Sequence, residues 1–269
     1  MEGQNKSVLF LDSGIGGIPY FRHFRERNPG QSAAYIADRQ NFPYGRRDRE
    51  EVCAILAALV EKAARALRPE IIVLACNSAT LAALPRLREL FPALAFVGTV
   101  PAVKPAALAS KTGKVGLLGT ELTVNEPSVK EIAVKHSGCE LVGIAAPELV
   151  EFVETRADSA TQEERRLMAR RYLSRFRESG ADALVLGCTH FLFLLEEFRE
   201  EARPDIAVFE SVEGISRRVE SLLGQDRQGE NGEARAPGRL LLTGAGAPEP
   251  SWKLWAERLG CALSLLEEA

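Results

Sequence analysis

The sequence predicts an α/β protein with mainly parallel sheets. Three observations carry that prediction. Short apolar runs rich in β-branched residues, such as Ser7–Leu11 (SVLFL), Ile71–Leu74 (IIVL) and Ala183–Gly187 (ALVLG), read as strands covered on both faces. Stretches with helical periodicity alternate with them along the chain, which is the pattern of strand–helix–strand units. Finally, two strand ends carry one signature. IIVLACNSAT (Ile71–Thr80) and ALVLGCTHF (Ala183–Phe191) each pass from an apolar strand to a cysteine, two polar residues and a helical run. The repetition suggests two similar halves, each contributing one thiol to a shared cleft.

The first strand, Ser7–Leu11, ends in Asp12, Ser13 and Gly14, and a helix follows near Pro19–Arg27. The G-I-G-G turn lacks dinucleotide-fingerprint spacing, and Asp12 at the strand tip would repel a pyrophosphate. Asp12 and Ser13 instead read as cleft residues at the carboxyl end of a strand, where open α/β sheets bind ligands. A second strand at Ala33–Ile36 leads into DRQNFPYG (Asp38–Gly45), where Pro43 and Gly45 fix a turn that leaves Tyr44 exposed. Arg46, Arg47 and Arg49 alternate with acids as a solvated helix start, with Asp48 as its N-cap. The helix runs to about Ala66. The helix after Cys76 contains Pro85, which predicts a kink or a late start. Ala95–Gly98 is a strand, and Pro101 and Pro105 mark a crossover.

The second half opens with the strand Lys114–Leu118, followed by Gly119, Thr120 and Thr123. After the strand Glu140–Ile144, Glu148, Glu151 and Glu154 share one helical face, solvated for the first two. Residues 161–179 form a helix with a solvated arginine face and Leu167, Tyr172, Leu173 and Phe176 as its apolar positions. Past Pro204 the pattern restarts with Ile206–Phe209 and a helix to about Leu223. Gly224–Gly238 is polar and Gly-rich and reads as a mobile loop. Leu240–Thr243 is the last predicted strand, and a helix through Trp252, Trp255 and Leu259 closes the chain.

With 269 residues the chain can hold two α/β cores. A net charge of −3 gives no electrostatic case for nucleic acid or an anionic membrane. The N-terminal residues show no signal or membrane segment, so the expected location is the cytoplasm. The five cysteines are odd in number, widely spaced and lack C-x-x-C, which argues against a disulfide framework or a zinc site. Cys53, Cys139 and Cys261 read as small buried hydrophobes. Cys76 and Cys188 differ. Each lies between a strand end and a helix start, where the helix dipole favours thiolate and free N–H groups suit a carboxylate ligand.

Taken together, FLDSGIGG (Phe10–Gly17), ADRQNFPYG (Ala37–Gly45), ACNSAT (Ala75–Thr80), LLGTELT (Leu117–Thr123) and LGCTHF (Leu186–Phe191) resemble the glutamate racemases of the cofactor-independent aspartate/glutamate racemase family. The PYG turn points to the glutamate branch. The resemblance covers nearly the whole chain and implies two flavodoxin-like domains, pseudo-symmetric, with the active site between them. Residues 1–98 plus 206–269 would form the first domain and 99–205 the second. Departures are Ser78 for the usual Thr, Leu192 after the aromatic, and Glu210 before Ser211.

The resemblance further implies that the substrate is L- or D-glutamate, that no cofactor or metal is used, and that the product D-glutamate serves peptidoglycan synthesis. A homodimer is among the assemblies it allows. Cys76 and Cys188 would be the two bases, with His190 assisting Cys188, and Asp12 and Glu154 as carboxylates near Cys76. Asp12, Ser13, Pro43, Tyr44, Gly45, Asn77, Ser78, Thr120, Thr123, Thr189 and His190 would bind substrate. Two thiols suit the chemistry, because racemisation removes a proton from one face of Cα and returns one to the other. Competing readings are a racemase for another acidic amino acid such as aspartate, a non-catalytic binding or inhibitory protein, and a thiol redox protein.

Overall fold

The structure of the protein, a computed structural model, describes residues 7–156, 158–224 and 236–268. The chain divides into two compact units, Met1–Thr99 with Val212–Ala269, and Val100–Ser211. In chain order the first stretch contains β1 (Val8–Asp12), α1 (Ile18–Arg27), β2 (Ala33–Ala37), α2 (Arg49–Leu67), β3 (Ile71–Leu74), α3 (Asn77–Leu90) and β4 (Ala95–Gly98). The second unit follows with α4 (Val103–Ala109), β5 (Lys114–Gly119), α5 (Glu121–Asn125), α6 (Pro127–Ser137), β6 (Glu140–Ala145), α7 (Pro147–Arg156), α8 (Gln162–Ser179), β7 (Ala183–Gly187), α9 (Leu195–Ala202) and β8 (Ala207–Phe209). The chain then returns to the first unit with α10 (Val212–Leu223), β9 (Gly238–Leu242), α11 (Pro250–Leu259) and β10 (Cys261–Leu265).

The first unit is built on one six-stranded sheet in the order β10-β9-β2-β1-β3-β4, parallel throughout. Its central strands are buried along their full length because helices cover both faces, which is why they read as unbroken apolar runs. Against β1 pack the rings of α1: Phe10 meets Phe21 edge-on at 5.6 Å and Phe24 at 5.4 Å. Each such buried ring is worth roughly 2–3 kcal/mol of transfer energy. Gly17, just before α1, lies so close to the strand end leading into Cys76 that a Cβ there would stand 2.7 Å from Ala75 Cβ.

The second unit holds a four-stranded parallel sheet in the order β6-β5-β7-β8. α8 starts with a full capping box, in which Thr161 and Glu164 each bond the other's backbone. It buries Tyr172, Leu173 and Phe176. The Phe176 ring lies so close over Gly116 of β5 that a Cβ would come within 2.6 Å of it. Among the described residues no helix is long and apolar enough to cross a membrane.

Several expectations are corrected here. The strand near 206–209 does not return to the first sheet: β8 pairs with β7, so it belongs to the second unit and the return begins with α10. Beyond α11 a further strand, β10, takes the free edge beside β9. The late start allowed for α3 is ruled out: the helix starts at Asn77, directly after the cysteine, with Pro85 inside it. The residues after Cys188 form a 3-10 helix, Thr189–Leu194, before α9 begins. The short helix α4 begins within VPAVKPA and runs on to Ala109. The α8 arginine face is not merely solvated: Arg165, Arg166 and Arg170 meet Glu197, Glu200 and Glu201 of α9. Leu167 lies outside the core at 60% exposure. The five cysteines form no disulfide, but Cys53 and Cys261 are only half-buried, and Cys261 accepts a hydrogen bond from Arg25. Cys139 is buried, with the Ser137 hydroxyl at 3.1 Å. Of the segment 224–238, residues 225–235 lie outside the described residues.

Candidate active site

Both sheets contain the same topological feature. Along the run β2-β1-β3-β4 the strand order reverses between β1 and β3, and along β6-β5-β7-β8 it reverses between β5 and β7. Connections leave such neighbouring strands toward opposite faces, which opens a crevice at their carboxyl ends where ligands bind. In the first unit Asp12 ends β1 and Cys76 follows β3. In the second, Thr120 follows β5 and Cys188 follows β7. The two thiols therefore occupy matching positions in their own sheets.

In the first unit, Cys76 is the N-cap residue of the 14-residue α3, with its backbone in extended conformation and 9% exposed. The strand end behind it is tightly held. Ala75 N–H donates to Leu11 O, and the hydroxyls of Thr80 and Thr99 both donate to Leu74 O. Asn77 and Ser78 form the first turn of the helix and are buried. Asn77 Oδ1 is buried with no hydrogen-bond partner among the described residues, an acceptor whose desolvation they do not compensate. Asp12 is fully buried, and its Oδ1 accepts from Gly14 N at 2.9 Å and from Ser13 Oγ at 3.4 Å. The loop beyond is fixed by Tyr35, whose hydroxyl donates to Gly14 O and accepts from Gly17 N.

Tyr44 is fully buried rather than exposed. Its hydroxyl donates to Asp38 Oδ2 at 2.6 Å, which brings the ring inward from the 3-10 turn Tyr44–Arg46. Burial, then the negative charges of Asp38, Cys76 and Asp12, push the phenol well above its ordinary pKa, so it stays protonated. Pro43 and Gly45 flank it, half-buried.

In the second unit, Cys188 is buried and opens the 3-10 helix that carries Thr189 and His190. Cys188 Sγ lies 3.9 Å from His190 Nδ1, and the opposite ring nitrogen, Nε2, lies 2.8 Å from Glu154 Oε2. His190 is 4% exposed. Burial opposes its positive charge, but the hydrogen bonds and charges of Cys188 and Glu154 outweigh it and hold the imidazole well above its ordinary pKa. Glu154 comes from α7, one helical turn beyond Val150. This corrects the expectation that Glu154 stands near Cys76: it is hydrogen-bonded to the histidine of Cys188's own unit. Thr120 caps α5 by accepting from Thr123 N, and the two hydroxyls lie 3.1 Å apart.

The structure thus groups Asp12, Ser13, Tyr44, Cys76, Asn77 and Ser78 at one set of strand ends. It groups Thr120, Thr123, Glu154, Cys188, Thr189 and His190 around the other. Sequence reasoning missed Asp38, Tyr35 and Thr243. Asp38 was discoverable, because it stands one residue after β2, as Asp12 ends β1.

The family model for Asp/Glu/Hydantoin racemase matches residues 21–216. A glutamate racemase from Roseiflexus sp. is 35% identical over 249 residues, covering 91% of this chain and 89% of that protein. Another from Herpetosiphon aurantiacus is 36% identical over 225 residues, covering 82% and 85%. Among solved structures, the glutamate racemase of Escherichia coli in complex with L-glutamate and the activator UDP-MurNAc-Ala superposes with a TM-score of 0.83. It is 28% identical and covers 97% of both chains.

Proposed function

The chain belongs to the Asp/Glu/hydantoin racemase family, and from that premise we propose that it interconverts L- and D-glutamate by two-base proton transfer at Cα. The observation that carries the mechanism is the pair of cysteines, one at the switch point of each sheet. One thiolate removes the α-proton while the other cysteine, as thiol, returns a proton to the opposite face; the roles exchange for the other enantiomer. No group on the substrate need rotate.

The α-proton of an amino acid is far less acidic than a thiol, so the site must stabilise the charge that builds on the carboxylate as Cα loses its proton. Backbone N–H groups at the start of α3, the turn Pro43–Gly45 and the hydroxyls of Ser13, Ser78, Thr120, Thr123 and Thr189 are suited to that task. Asn77 Oδ1 is suited to accept from the substrate ammonium, which would supply the partner that the protein does not. Each thiol also needs a partner for its proton. On the Cys188 side His190 takes it, and Glu154 holds the resulting imidazolium in place. On the Cys76 side Asp12 supplies the carboxylate. The product D-glutamate feeds peptidoglycan synthesis, and the enzyme works in the cytoplasm, where thiols stay reduced. Light scattering at assay concentration tests for a homodimer.

The deciding experiment follows the α-proton signal of L-glutamate in deuterated water with no added cofactor. The expected result is loss of that signal with appearance of D-glutamate, unchanged by a chelator or a carbonyl reagent. L-Aspartate, run alongside, should exchange far more slowly. Equal exchange would widen the substrate to acidic amino acids generally, and no exchange with either would leave the fold with a binding role.

A further inference from the structure

We propose that Asp38 and Thr243 are positioning residues that lock the Pro43–Tyr44–Gly45 turn in place for the Cys76 half of the reaction, an inference that rests on the racemase reading above. Asp38 follows β2, is 1% exposed, and its backbone N–H donates to Asp12 O at 2.8 Å. Its carboxylate collects donors from three separate places. Tyr44 hydroxyl donates to Oδ2 at 2.6 Å, Thr243 hydroxyl to Oδ1 at 2.6 Å, and the Asn41 amide nitrogen lies 2.9 and 3.1 Å from the two oxygens. All three donors are neutral. A buried carboxylate held in this way requires its donors to stay in position, since losing one leaves charge uncompensated in a dry site.

Thr243 is itself fixed by the sheet. β9 lies beside β2, so Thr243 N–H donates to Ala37 O at 3.1 Å, at the same end of the sheet as Asp12. The Arg39 guanidinium then ties down the following loop, donating to Thr243 O, Gly244 O and Gly246 O and pairing with Glu249. Gln40 N–H donates to Thr243 Oγ1. The turn at Tyr44–Arg46 packs against α3, the helix that Cys76 opens. Both Cys76 and Asp12 act electrostatically on the Tyr44 phenol. A continuous chain of contacts therefore runs from Thr243 through Asp38 and Tyr44 to the surroundings of Cys76. Thr243 lies beyond the 21–216 stretch that the family model matches. The C-terminal segment thus supports the site as well as completing the sheet.

The test uses the full-length protein carrying Asp38→Asn, the isosteric Thr243→Val, or Thr243→Ser, which keeps the hydroxyl. Far-ultraviolet circular dichroism checks folding in each. With glutamate as substrate, Thr243→Val, which loses the bond to Asp38 and the one from Gln40 N–H, should lower kcat/KM about fivefold or more, and Thr243→Ser should restore it to within about twofold. Asp38→Asn should lower it about tenfold or more, because charge-assisted bonds are lost. The discriminating readout is the isotope effect with α-deuterated glutamate of each enantiomer. Slowing only the Cys76 step raises the effect for the enantiomer that Cys76 deprotonates and lowers it for the other. Loss of folded protein moves neither. Wild-type kcat/KM in both Thr243→Val and Asp38→Asn, or lowered values with both isotope effects unchanged, would overturn the positioning role. A wild-type protein that leaves the glutamate α-proton in place would overturn the racemase reading, and this inference with it.

Discussion

Cys76 opens a 14-residue α-helix, whereas Cys188 opens a six-residue 3-10 helix. The two thiols hold matching places in their sheets, yet their surroundings differ. Around Cys76 the polar surroundings are spread out: a long helix with its dipole, a buried Asp12 that accepts from Gly14 N–H and the Ser13 hydroxyl, and a protonated Tyr44. Around Cys188 they are concentrated in one imidazole, bonded on its far side to Glu154. The 3-10 helix runs directly into α9, and on the proposed mechanism the imidazole, held well above its ordinary pKa, is the charged partner on this side. On that mechanism, one topological position is tuned for proton transfer either by backbone and helix or by a discrete ion pair.

The comparison breaks most sharply at the sulfurs. Cys76→Ala and Cys188→Ala should each abolish racemisation in both directions, because a site with one base cannot return a proton to the far face. A polarimetric assay from each enantiomer checks this, and near-normal turnover in either variant would end the two-base assignment.

Next in size is His190→Asn, expected to lower kcat by about 100-fold, within the range of general acid–base assistance. If the two halves are tuned independently, its deuterium isotope effects should shift in the sense opposite to those of Asp12→Asn. Shifts in the same sense would mean that the two carry out a common step.

Glu154→Gln should lower kcat about tenfold, because it removes the anion that steadies the imidazolium. It also tests stability. The folded protein holds His190 protonated at pH values where the unfolded chain, with its pKa near 6.5, has released the proton. The folded state therefore binds more protons in that window. The contribution is complete below about pH 6.5 and is lost as pH rises through the folded value. Urea unfolding from about pH 6 upward should show falling stability in the parent and a flatter profile in Glu154→Gln. Parallel profiles would dissociate the pair from the pH dependence.

The smallest effect belongs to Asn77→Ala. The KM for glutamate should rise about fivefold through loss of one acceptor for the ammonium. Thermal unfolding should show a loss of less than about 1 kcal/mol, since Oδ1 has no hydrogen-bond partner among the described residues. A large stability loss with unchanged KM would reassign Asn77 to the fold.

Sequence by itself determined the alternation of strands and helices, the strand ends that present Asp12, Cys76, Thr120 and Cys188, and the Asp48 cap of α2, whose side chain accepts from Glu51 N. These are local properties. Apolar runs, helical periods and caps are written within a few residues of one another. Tertiary structure alone decided that Tyr44 turns inward, that Glu154 belongs to His190, that β8 stays with β7, and that Thr243 reaches Asp38. Two of these depend on a partner far away in the chain, 36 residues for Glu154 and His190 and 205 for Asp38 and Thr243, and even Tyr44, six residues from Asp38, is placed by a contact that no local pattern marks. A buried polar group must find a partner wherever the fold brings one. Such pairings follow sheet order and leave no periodic mark in the sequence. Tyr44 illustrates the limit: between Pro43 and Gly45 it has the composition of a surface turn, and only the carboxylate at the end of a neighbouring strand draws it into the core.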